Sequence, residues 1–92
     1  MKRFLIERRF AQGLWIPTTE EGRRACASVV IVNAQQRVTW LHSYVSSDRK
    51  TVFCVYEGPS AEAVHAASER NGLGIERITE VAVLDPYFHL SS

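Results

Sequence analysis

The 92-residue sequence contains only two cysteines, Cys26 and Cys54, and they do not form a CxxC pair. That argues against a disulfide framework and against a structural zinc site built on paired thiolates. Long apolar runs are also missing. "MKRFLIERRF" begins with basic residues, but its apolar run ends at Ile6 when Glu7 intervenes, short of the roughly 7 to 15 residues of a secretory h-region. No segment approaches the ~20 residues of a membrane span. Charge of one sign is lacking too, since eleven Lys and Arg against ten Asp and Glu leave a net charge of +1. Such a chain has no field to draw nucleic acid or anionic lipid. Lys2, Arg3, Arg8, Arg9, Arg23 and Arg24 cluster early but lie among Glu7, Glu20 and Glu21, and read as a solvated surface. No G-x-S-x-G, glycine-rich phosphate loop or H-E-x-x-H occurs, so hydrolase, nucleotide-binding and zincin readings lack support. The expectation is a cytoplasmic protein with neither nucleic acid nor membrane as a partner.

What is there points to one globular domain over residues 1–92, with 46% hydrophobic and 23% charged residues. Lys2 to Arg9 alternates as a strand, Phe4 and Ile6 to one face, Leu5 and Glu7 to the other. "TTEE" predicts a helix start, Thr18 capping and Glu21 reaching back. Its body runs on to Gln36 despite the β-branched Val29 to Val32. Val38 to Ser46 and Lys50 to Glu57 read as strands joined by the polar "SSDR". Ser60 is an N-cap for a helix running to Asn71, which Gly72 stops. Glu76 to Leu84 is a fourth strand, ended by Asp85-Pro86. The order β-α-β-β-α-β predicts an α+β, ferredoxin-like fold: a four-stranded antiparallel sheet in the order 4-1-3-2, with both helices on one face.

The other face of that sheet is bare, and alternation decides what it carries. On the second strand Leu41, Ser43 and Val45 suit packing against the helices, which leaves Trp40, His42 and Tyr44 outside. An odd-length hairpin would place Cys54 and Tyr56 on the same face, because one residue of loop length inverts a strand. Glu7 and Glu80 join them. Aromatic side chains in that number call for a cover, and a second copy would make a homodimeric α+β barrel.

"RFLIER", "WLHSYVSSDRKTVFCVYEGPSAEAV", "NGLGIERITEV" and "DP" resemble a small bacterial ferredoxin-like family, largely of unknown function, that includes a Streptomyces nickel-binding protein. The resemblance implies a dimer and a nickel or other divalent transition-metal site, with Glu7, His42, Tyr44, Cys54 and Tyr56 as motif residues. The chain departs from the family pattern at Ala67, where members often carry a histidine; here His65 lies about half a turn away. Imidazole suits nickel, copper and zinc, and a carboxylate and a thiol could complete a mixed site. The expected metal set is therefore His42, Glu7 and Cys54, with Tyr44, Tyr56 and Trp40 lining a sheet-to-sheet cavity that holds the metal or a small ligand. The alternative is a cofactor-free enzyme of oxygenase or isomerase type, an analogy from fold alone, which would need a solvent-open apolar pocket of a few hundred Å³.

Overall fold

The computed structural model describes residues 1–16 and 19–87. Its elements are β1 (Lys2–Arg9), α1 (Glu20–Gln35), β2 (Thr39–Val45), β3 (Thr51–Gly58), α2 (Ala61–Arg70) and β4 (Arg77–Val81). The strands form one antiparallel sheet in the order β2-β3-β1-β4, as expected for the ferredoxin-like α+β arrangement. Thr18, read as the first helix cap, lies outside the described residues. Thr19 occupies the cap position of α1, without a side-chain cap bond.

The middle strands set the core. Phe4 and Ile6 from β1 and Val52, Cys54 and Tyr56 from β3 are buried together with Val38 and, from α2, Val64 and Ala67. Each Val, Ile or Phe side chain so enclosed contributes about 1.5–3 kcal/mol relative to leaving it in water. α2 is short and well delimited: the Ser60 hydroxyl accepts from the Ala63 amide at 3.2 Å, and Gly72 takes a positive φ of 69° just past its end. Ser60→Ala should remove about 1 kcal/mol of stability, read as a lower urea midpoint at unchanged slope. At its far end α2 is tied to α1, because Asn71 Nδ2 donates to the Oδ1 of the buried Asn33 at 3.0 Å.

Two details of the sheet reverse expected orientations. Val45 pairs with Val52, so the six residues 46–51 join the arms, and His42 pairs with Val55. The connection is even in length. It turns on Ser46–Arg49, with Arg49 at φ 64°. Within it the Ser46 hydroxyl and the Lys50 amide donate to Asp48 and hold its carboxyl below the ordinary 3.8. Cys54 and Tyr56 therefore face the helices. A register shift between Trp40 and His42 then breaks the alternation of β2, as a β-bulge does by inserting an unpaired residue. Trp40 pairs with Tyr56 and Ser43 with Cys54, so Trp40, Ser43 and Val45 share the helix side.

β4 inverts as well. It is shorter than Glu76–Leu84, and Glu80 pairs with the buried Phe4 while Val81 pairs with Arg3. Glu80 thus lies on the helix side rather than the open face. At this edge of the sheet it stays 59% exposed and pairs with Lys2 at 3.9 Å.

Candidate functional site

Three rows on the helix-free face span all four strands. Tyr44, Phe53, Glu7 and Arg77 form one; His42, Val55, Leu5 and Thr79 the next; Thr39, Glu57, Arg3 and Val81 the third. The centre of the face is apolar and half-buried at Leu5, Phe53 and Val55, while His42 and Tyr44 are exposed on the edge strand. Their rings meet edge to face at 5.2 Å. Arg3 and Glu57 form a 2.6 Å ion pair, so that row has no unbalanced charge at its centre.

Of the six residues singled out from sequence, His42, Tyr44 and Glu7 lie on this face, whereas Cys54, Tyr56 and Trp40 lie on the other. His42 and Cys54 point to opposite sides because the hairpin loop is even, and Trp40 is turned inward by the bulge. Cys54 is 5% exposed and accepts from the Ser43 hydroxyl at 3.1 Å; Ser43 in turn accepts from the Trp40 indole at 2.8 Å. The thiol is thus a core group.

These placements test a metal site directly. His42 and Glu7 are separated by the whole of β3, a lateral distance of about 10 Å at ordinary strand spacing against metal–ligand bonds of about 2 Å. Among the described residues, no three His, Cys, Asp or Glu side chains are grouped to hold an ion. The described residues of a single protomer do not gather a transition-metal site.

The opposite side holds what the sequence reading missed. Between α1 and the sheet lies a cavity of about 430 Å³, apolar over most of its wall and lined by Phe10, Leu14, Cys26, Val29, Trp40 and Cys54, among others. It exists because α1 turns small residues inward: Gly22 is buried and Cys26 half-buried, while Val30 and Ile31 are 50% and 63% exposed. Arg8 reaches this cavity too and is only 2% exposed, so it is not part of a solvated basic surface. The signal was its parity with Phe4 and Ile6.

No helix among the described residues is long and apolar enough to cross a membrane. No curated protein matches the chain. The crystal structure of SCO4226 from Streptomyces coelicolor A3(2) is similar to it, with a TM-score of 0.68 and 28% identity, covering 88% of this chain and 96% of that one. Residues 4–81, most of the sheet and both helices, match the family described as nickel responsive protein SCO4226-like. With the same fold and a match from the first strand to the last, the chain belongs to the nickel responsive protein SCO4226-like family.

Proposed function

We propose that this protein is a cytoplasmic homodimer that responds to nickel by binding it between two copies paired through their helix-free faces. The observation that carries the reading is the placement of His42, exposed beside Tyr44 on a face whose centre is Leu5, Phe53 and Val55. An imidazole is a good nickel ligand. The apolar centre is what a partner of the same kind would cover. Association through the face also suits β2, since a bulge discourages edge-to-edge pairing. The family name adds nickel responsiveness, and two free thiols suit a reducing compartment.

Since no three ligands are gathered among the described residues of one protomer, the second copy supplies the rest in this reading. His42 is the central ligand in this reading, with Glu7 of the facing copy as the carboxylate donor. Tyr44 packs against the imidazole and fixes its orientation. Cys54, Tyr56 and Trp40 take no part. Calorimetric titration of Ni²⁺ into wild type and His42→Ala, with sedimentation of both, is the test. His42→Ala should weaken nickel binding more than about tenfold while the dimer persists; equal affinities would remove His42 from the site.

A further inference from the structure

The cavity under α1 is physically separate from the helix-free face, and its chemistry is different. Its volume of about 430 Å³ falls among small-molecule pockets, which run from about 300 to 1,000 Å³. Arg8 is its anomaly. The guanidinium donates from Nη1 to the Gly74 carbonyl at 2.9 Å and from Nη2 to the Ser68 hydroxyl at 3.0 Å and the Tyr56 hydroxyl at 3.3 Å. All three acceptors are neutral. Its Nε–H is buried with no acceptor, and among the described residues no carboxylate forms an ion pair with it. Arginine does not shed its proton, so among the described residues this buried positive charge meets only neutral acceptors and the face of the Tyr56 ring, whose centre lies 5.7 Å from it, an expensive arrangement without a counter-charge. Two other polar side chains of the wall are already engaged, Ser43 with Trp40 and Cys54 and the Tyr56 hydroxyl with Arg8.

We propose that the helix-side cavity binds a small apolar monocarboxylate of the medium-chain fatty-acid class, its carboxylate at Arg8 and its tail along the apolar wall. One buried cation calls for one negative charge. A phosphate monoester, carrying about two at neutral pH, would replace an unbalanced cation with an unbalanced anion. A carboxylate oxygen also supplies the acceptor that Nε lacks, as a charge-assisted hydrogen bond. In size, the cavity suits about a dozen heavy atoms if each takes roughly the ~30 Å³ share of a water molecule.

Sodium decanoate and decanol, alike in length and different in charge, make the test, titrated calorimetrically into the full chain below micelle formation. Wild type should bind one decanoate per protomer and prefer it to decanol by more than about tenfold, as a charge-assisted pair requires. Arg8→Met should lose that preference, and His42→Ala should keep it. Alkylation of Cys26 in wild type provides a reading that needs no variant to fold: decanoate should slow it, and decanol at the same concentration should slow it less. No binding of decanoate by about 1 mM, equal binding of decanol, an unchanged preference in Arg8→Met, or loss of binding in His42→Ala would each overturn the assignment.

Discussion

Ile6→Ala is expected to lower the free energy of unfolding by about 2–5 kcal/mol, while Leu5→Ala, its neighbour in the chain, should cost a protomer about 1 kcal/mol. Ile6 is fully buried between β3 and β4, opposite Cys54 and Ile78. Truncating it leaves a cavity that the rigid middle of the sheet cannot collapse. Leu5 is half-buried on the helix-free face, opposite Val55 and Thr79, where water can take up the space. Urea unfolding at two protein concentrations separates the roles. The cost of Ile6→Ala should not depend on concentration. The cost of Leu5→Ala should grow with it under the proposed pairing, in which a second copy would bury Leu5 and association would add to apparent stability. A concentration-independent Leu5→Ala would argue against the face-to-face pairing.

This contrast rests on the alternation of β1, which was readable from the sequence because it is local. Phe4 and Ile6 point inward and Leu5 and Glu7 outward as a period of two dictates. The same holds for α2, whose cap at Ser60 and stop at Gly72 are short-range chemistry, and for the strand order, which follows from the element order. α1 forms in spite of the β-branched run Val29–Val32, with tertiary packing outweighing a weak local preference.

The hairpin between β2 and β3 was a different matter. Its parity depends on where two strands come into register, and a loop of six residues gives an answer opposite to one of five. No residue in "SSDR" announces the count. The bulge after Trp40 is subtler still, since it inverts a single aromatic side chain and leaves His42 and Tyr44 where simple alternation put them. The expected metal set therefore separated into two groups on two faces. Arg8 illustrates a conflict of signals: its parity pointed inward and its charge pointed outward, and membership of a basic cluster decided for the surface. In the fold, parity prevailed because Tyr56, Ser68 and the Gly74 carbonyl provide it with acceptors.

If two copies pair through the helix-free face as proposed, Val55→Lys should convert that dimer to monomers and abolish nickel binding together with it. Val55 sits mid-strand in β3 on the helix-free face, between His42 and Leu5. In a two-fold arrangement the substitution appears on both copies, so like charges are brought together in an apolar contact. That juxtaposition costs several kcal/mol, a weakening of the dimer by about two to three decades. Sedimentation at micromolar concentrations should then show half the wild-type mass, with an unchanged urea midpoint for the isolated protomer. Ile31→Lys, on the solvent side of α1 where Ile31 is 63% exposed, provides the control and should change neither mass nor metal affinity. If Val55→Lys became monomeric and still bound nickel at wild-type affinity, the ligands would have to come from one protomer. The separation of His42 from Glu7 by a full strand forbids that for this pair, so such a result would move the site elsewhere on the molecule.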